Sequence, residues 1–147
     1  MKIYLASRFE AQKHFREVRT KIHSETDHLV VSRWIDSSPD RPPFEDSEAW
    51  AAYSSRCAQV DLLDLDSADL AIFDMTLDLT GCKGGVYAEM GYCLGTFSCK
   101  YRVDLMYETE GSSNIWIVGR RTNVFCYDAR IRHFKDWTAA YAALGAK

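Results

Sequence analysis

Three groups of residues have types and spacing that suit chemistry on a small molecule. The first is Gly84-Gly85-Val86-Tyr87-Ala88-Glu89-Met90-Gly91-Tyr92. Two glycines let a backbone approach a ligand closely and turn into a helix without a Cβ in the way. The helix start then offers unpaired N–H groups and positive potential. Glu89 falls about one turn in, where it is expected to stay ionised, as a carboxylate nucleophile must be. Gly91 leaves room beside it. The same spacing also fits a glutamate that only complements the helix dipole behind a glycine turn.

The second group is Asp61, Asp64, Asp66 and Asp69. On a helix Asp61 and Asp64 share a face and Asp66 turns away. Asp64 and Asp66 are expected to form a solvated acidic face. A magnesium site is a weak alternative, because no second helix repeats the acidic pair. The third group is Ser7-Arg8, where a hydroxyl and a guanidinium can hold a phosphate or a sugar hydroxyl. A cap and a surface arginine would have the same spacing. His14, His23, His28 and His133 are scattered, with no acid or nucleophile beside them in sequence, and are read as surface or structural groups. Trp34 is read as core, with base stacking as the alternative.

These groups need elements to position them. Ile3 to Ala6 reads as a short buried strand, and Phe9 to about Glu25 as a helix with Phe15, Val18 and Ile22 on its buried face. Leu29 to Trp34 reads as a second strand. Asp36 to Asp46 holds all three prolines and reads as a long loop suited to a lid or binding role. Ser47 can cap a helix from Glu48 to about Ser67, with Trp50, Tyr53, Cys57 and Val60 as its buried stripe. Leu70 to Phe73 is apolar on both faces, as a central parallel strand should be. A helix is expected from Val86 to Leu94, a strand from Ile115 to Val118 closed by Gly119, and a last helix from Asp136 to Leu144. Tyr101 to Tyr107 fits either a strand or a hairpin arm. Strands alternating with helices imply an α/β fold of one domain over residues 1–147, with ligands at the carboxyl ends of its strands.

The bulk composition narrows the partners. The chain has 147 residues, 47% hydrophobic and 27% charged, with a net charge of -3. That balance argues against a binder of polymeric nucleic acid, which needs a basic surface. Two or three local cations still suffice for one mononucleotide. No apolar run reaches the ~20 residues of a membrane span, and the N-terminus is too short in apolar residues for a secretory signal. Cys57, Cys82, Cys93, Cys99 and Cys126 form no C-x-x-C pair and are odd in number, as expected of free thiols in a reducing cytoplasm. No Cys/His spacing suggests zinc, and neither a metal nor an organic cofactor is expected.

Taken together, the residues resemble the nucleoside 2-deoxyribosyltransferase-like superfamily, which includes deoxynucleoside 5'-monophosphate N-glycosidases. Ile3-Tyr4-Leu5-Ala6-Ser7-Arg8-Phe9 resembles its first strand and sugar-binding loop. Val60-Asp61-Leu62 followed by Ala68 to Phe73 resembles its helix aspartate and following strand. Gly84-Gly85-x-x-x-Glu89-x-Gly91-Tyr92 is similar to its catalytic helix, and Ile117-Val118-Gly119 with Asn123-Val124-Phe125 to its closing segment. The resemblance covers most of the chain. It implies a flavodoxin-like or Rossmann-like three-layer sandwich around a mostly parallel sheet of about five strands, assembled as a homodimer or higher homo-oligomer.

It also implies that Glu89 attacks the anomeric carbon of a 2'-deoxynucleoside or its 5'-monophosphate, forming a covalent glycosyl-enzyme. Asp61 would orient the reacting groups, Ser7 and Arg8 would contact the sugar 5' end or a phosphate, and Asn123 would help complete a neighbouring site. One position departs from the pattern: classical transferases carry an aspartate where this chain has Lys83. A lysine there can hold phosphate or stabilise charge on the base, which favours monophosphate hydrolysis over nucleoside transfer. It also motivates an alternative, a nucleotide-binding or sensing module of the same fold without chemistry. A ribosyl phosphohydrolase with a similar glycine-rich loop is a third reading. Thr96 to Ser113 resembles an insertion with no assigned role.

Overall fold

Two runs in the sequence, Leu70 to Phe73 and Ile115 to Val118, are apolar without interruption, and they supply the central strand of the sheet and one of its neighbours. The computed structural model describes residues 1–37, 42, 47–76, 85–100, 114–121 and 124–145. β3 (Leu70–Met75) is buried along its whole length, and β4 (Ile115–Gly119) is buried up to Val118. β1 (Lys2–Ala6) lies on the other side of β3, and β2 (Leu29–Val30) and β5 (Ile131–Phe134) form the edges. The order is β2-β1-β3-β4-β5, and every pairing is parallel. The direction of winding reverses between β1 and β3. Their carboxyl ends therefore open the crevice in which such sheets hold ligands.

Helices cover both faces. α1 (Gln12–Glu25), entered through a 3-10 turn at Phe9–Ala11, buries Phe15, Val18 and Ile22 as its periodicity requires. It shares its face with α4 (Trp137–Leu144), where the Phe15 and Trp137 rings meet edge-on at 6.2 Å. Asp136 caps α4 by accepting from the Ala139 N–H at 2.9 Å. α2 (Ser47–Ser67) and α3 (Gly85–Lys100) lie on the opposite face, joined by a 2.9 Å hydrogen bond from the Tyr92 hydroxyl to Asp66.

The second strand is much shorter than the expected Leu29 to Trp34. After Val30 the chain leaves the sheet and turns as a 3-10 helix at Arg33–Asp36. Side chains replace the missing ladder: Ser32 Oγ accepts from the Leu5 N–H at 2.6 Å, and Trp34 Nε1 donates to the Leu5 carbonyl at 2.6 Å. Both backbone groups of Leu5 are thus satisfied without a longer strand, as buried backbone requires. Trp34 is core, packed on Phe15 with ring centres 5.3 Å apart.

β5 was not anticipated, because Arg132 and His133 interrupt its apolar ends. As an edge strand it needs only Ile131 and Phe134 buried, and Arg132 lies over the Trp116 and Phe134 rings. The stripe of α2 is also less covered than its spacing suggests. Trp50, Tyr53, Cys57 and Val60 are only partly buried, and Leu63 is 61% exposed. α3 extends beyond the expected Leu94 to Lys100. Tyr101 to Tyr107, most of the Asp36 to Asp46 loop and most of the Thr96 to Ser113 segment lie outside the described residues.

Gly119 closes β4 with φ 102°, and a Cβ there would stand 2.6 Å from the Thr76 nitrogen and 2.7 Å from the Met75 carbonyl carbon. The ends of β3 and β4 can meet only because this residue lacks a side chain. Gly119→Ala is expected to destabilise the fold by roughly 1–3 kcal/mol, read by urea denaturation. A melt unchanged from wild type would mean that the two strand ends are not locked together.

Candidate active site

The sheet delivers a tyrosine to the two carboxylates singled out in the sequence. Tyr4 sits in the middle of β1 and is fully buried. Its hydroxyl donates to Glu89 Oε1 at 3.2 Å. Glu89 is the fifth residue of α3 and is half-buried. Among the described residues its carboxyl group takes this hydroxyl, not a cation, as its partner. Asp61, half-buried on α2, brings a second carboxyl group close enough for its charge to act on both Glu89 and Tyr4.

Burial and proximity control protonation here. Burial, then the charge of Asp61, push Glu89 up to about 8, against the opposing hydrogen bond from Tyr4. Burial, then Asp64, push Asp61 up to about 6, with Arg33 opposing. Burial, followed by Glu89 and Asp61, raises Tyr4 far above the usual phenol range, so it stays a neutral donor. The expectation that Glu89 is held ionised by the helix start is therefore corrected. Glu89 lies a full turn in, where the dipole has faded, and desolvation with a like charge beside it outweighs what remains. Between about pH 6 and 8 the Asp61–Glu89 pair holds one proton.

Asp64 also departs from expectation. It is 5% exposed, not solvated, and both its oxygens are used by Arg33: the backbone N–H donates to Oδ2 at 2.8 Å and Nε donates to Oδ1 at 2.7 Å. Asp66 is exposed, as expected of a surface acid. Asp69 accepts from the Lys2 N–H at 2.7 Å, at the amino end of the sheet, away from the crevice.

Ser7 and Arg8 follow β1 directly, at the crevice, and both are half-exposed. The Ser7 hydroxyl donates to the Asp74 carbonyl at 3.4 Å, and the Arg8 carbonyl accepts from the Ala11 N–H at 3.0 Å. Gly85 opens α3, and a Cβ would meet nothing there or at Gly91 within 4 Å. Lys83, Gly84 and Asn123 lie outside the described residues.

Two residues at this edge carried no sequence signal. Tyr4 looked like one more apolar position in a buried strand. Asp74 is a fully buried carboxylate near the end of β3. It accepts from the Thr76 N–H at 2.7 Å, the Thr76 hydroxyl at 2.6 Å and Trp137 Nε1 at 2.8 Å. His14 Nε2 stands 3.4 Å from the same carboxylate, so this histidine has an acidic neighbour that the sequence separation hid. The other three histidines make local contacts: His23 accepts from the Val30 N–H at 2.9 Å, His28 meets the chain's amino group, and His133 meets the Gly119 carbonyl. Among the described residues no three His, Cys, Asp or Glu side chains converge in a way that could hold a metal ion.

A parallel sheet in the order 2-1-3-4-5, with a buried tyrosine and two carboxylates beside its switch point, is an α/β sandwich of the flavodoxin-like, Rossmann-like class. Among solved structures, it matches a 2-deoxyribosyltransferase from the psychrotolerant bacterium Bacillus psychrosaccharolyticus. The TM-score is 0.55 at 23% identity, over 100% of this chain and 98% of that one. The two proteins share the nucleoside 2-deoxyribosyltransferase-like fold. No family model and no curated protein sequence matches the chain.

The raised Glu89 value has a consequence for stability. A buried acid that binds its proton more tightly when folded makes the native state progressively costlier as pH rises from the unfolded value of 4.5 towards 8. Glu89→Gln is therefore expected to equal wild type in stability near pH 4 and to exceed it at pH 8 to 9. Urea denaturation across that range checks it. A constant difference at all pH values would place Glu89 in ordinary solvent.

Proposed function

We propose that this chain cleaves the N-glycosidic bond of a 2'-deoxynucleoside 5'-monophosphate or 2'-deoxynucleoside, with Glu89 as nucleophile and Asp61 as proton donor. The observation that carries the reading is the Tyr4–Glu89 hydrogen bond beside the Asp61 carboxyl group. Tyr4 holds one glutamate oxygen and leaves the other for attack. At rest the shared proton sits mainly on Glu89, which binds it more tightly than Asp61. The reactive form is the one in which that proton has passed to Asp61, leaving Glu89 charged beside a neutral acid. The fold shared with a 2-deoxyribosyltransferase agrees with this chemistry.

In the first step a Glu89 oxygen bonds to C1' and the C1'–N bond breaks. The departing base keeps the bonding electrons and takes the Asp61 proton. In the second step water attacks C1', the ester bond to Glu89 breaks, and Asp61 recovers a proton from the water. A second base in place of water gives transfer. Splitting the displacement lowers each barrier. In this reading Ser7 and Arg8, which directly follow β1, meet the sugar 5' end or a phosphate, and Gly84, Gly85 and Lys83 serve the same anionic end. That assignment favours monophosphate hydrolysis.

Chromatography of a panel of deoxynucleosides and their 5'-monophosphates, with and without a second free base, tests the reading. Glu89→Ala and Glu89→Gln are expected to lower base release at least about a thousandfold while the fold persists. Wild-type turnover in either variant would overturn the mechanism, and tight binding without any released base would favour a sensing module.

The pH profile follows from the pair. Below about 6 both carboxyls are protonated and no nucleophile exists; above about 8 neither holds a proton for the base. kcat/KM is expected to form a bell between those limbs. A profile rising without limit would remove Asp61 as the acid.

A homodimer or higher homo-oligomer belongs to this reading, with Asn123 contributing to a neighbouring site. The partly covered stripe of α2 and exposed Leu63 support it. Sedimentation is expected to give a multiple of 16.8 kDa, and Leu63→Glu to shift the population towards monomer. A wild-type monomer at assay concentrations would rule it out.

A further inference from the structure

The turn of α2 that carries Asp61 is gripped by a second ion pair that the reaction scheme leaves unused. Asp64 lies one turn along the helix with its carboxyl group almost wholly out of water. Arg33, just past the exit of β2, reaches it with a backbone N–H and with Nε, at 2.8 and 2.7 Å. The same guanidinium donates through its NH2 group to the Val60 carbonyl at 3.4 Å. One arginine therefore spans the turn from Val60 to Asp64, and Asp61 lies between those two anchors. Such a fork fixes direction as well as distance, which a lysine's point charge does not.

We propose that the Arg33–Asp64 pair is a positioning clamp for Asp61, holding its helical turn beside Tyr4 and Glu89 and setting, with two opposed charges, the field its carboxyl group feels. The clamp deepens the reading of Asp61 as proton donor and rests on it for its role in the reaction. The charged and titratable groups facing Asp61 come from four elements: Asp64 on its own helix, Arg33 from the turn after β2, Glu89 from α3 and the neutral Tyr4 from β1. Asp64 favours the protonated form of Asp61 and Arg33 the ionised form. Because the two are paired, their fields at Asp61 oppose each other. Removing either one unmasks the other.

This opposition separates a clamp from ordinary structural support. Arg33→Gln leaves the Asp64 charge uncompensated, so Asp61 keeps its proton to higher pH. Asp64→Asn leaves the Arg33 charge, so Asp61 releases its proton at lower pH. Arg33→Lys keeps the charge and loses the fork. The Arg33 side chain is 58% exposed and its backbone N–H still reaches Asp64 after substitution, so Arg33→Lys, which also keeps the charge, is the variant least costly to the fold.

The test is an NMR titration of the Asp61 side-chain carboxyl carbon in the full chain, with urea melts alongside. The midpoint is expected to move up in Arg33→Gln and down in Asp64→Asn by roughly half a pH unit or more, and to stay near wild type in Arg33→Lys. Equal midpoints in Arg33→Gln and Arg33→Lys, or displacement of Arg33→Gln and Asp64→Asn in the same direction, would overturn the clamp. The titration needs no substrate. Failure of the chain to release base from any nucleotide sinks the enzymatic reading, whereas unmoved midpoints sink the clamp alone. In an active chain the acidic limb of kcat/KM follows the same displacements.

Discussion

The hydrogen bond from the Tyr4 hydroxyl to the Glu89 carboxyl group is the contact on which the candidate site turns. It joins the second-from-edge strand to the helix that follows the central strand, across the face covered by α2 and α3. The tyrosine is fully buried and cannot follow solvent, so the glutamate oxygen it holds is fixed relative to the sheet. A carboxyl group on a helix otherwise has rotamer freedom, and in a reactive position that freedom costs rate. Supporting Glu89 from a strand supplies rigidity that a surface glutamate lacks.

Around this bond two opposed demands are balanced. A nucleophilic carboxylate must be ionised, yet the burial that orders it and strengthens its nucleophilicity also disfavours the charge. The neighbouring Asp61 offers a second place for the single proton. Glu89 holds it at rest, and its passage to Asp61 frees the nucleophile, removes the like charge and readies an acid for the departing base. Two carboxyl groups with raised values thus divide the labour between nucleophile and acid, and neither needs a cation as a direct partner. Arg33 and Asp64 sit one layer further out, where an ion pair can adjust the balance without occupying the space a sugar would need.

Much of the frame was legible in the sequence because uninterrupted apolar runs such as Leu70 to Phe73 and Ile115 to Val118 admit few other readings. Glu89 stood out by residue type and by the glycines around it, whereas Asp61 was set apart from its acidic neighbours only by the family resemblance. The misses share a cause: each depended on a partner distant along the chain. Ser32 and Trp34 looked like a continuation of β2, but their side chains bond Leu5 instead. Asp64 looked solvated until Arg33 closed over it, and Tyr4 looked like core until α3 brought Glu89 to its hydroxyl. The protonation of Glu89 was misjudged because a helix start is visible in sequence, whereas desolvation and the approach of Asp61 exist only in the folded chain. β5 was missed because an edge strand needs few apolar residues.

Trapping the covalent intermediate tests the central claim most directly. The chain would be mixed with its best deoxynucleotide or deoxynucleoside, quenched in acid during turnover, digested and weighed by mass spectrometry. The account expects the peptide containing Glu89 to gain the mass of one deoxyribosyl unit, with its phosphate if the substrate carries one, and fragmentation to place the gain on Glu89. Rapid base release with no adduct at any time point, or an adduct on another residue, would contradict it.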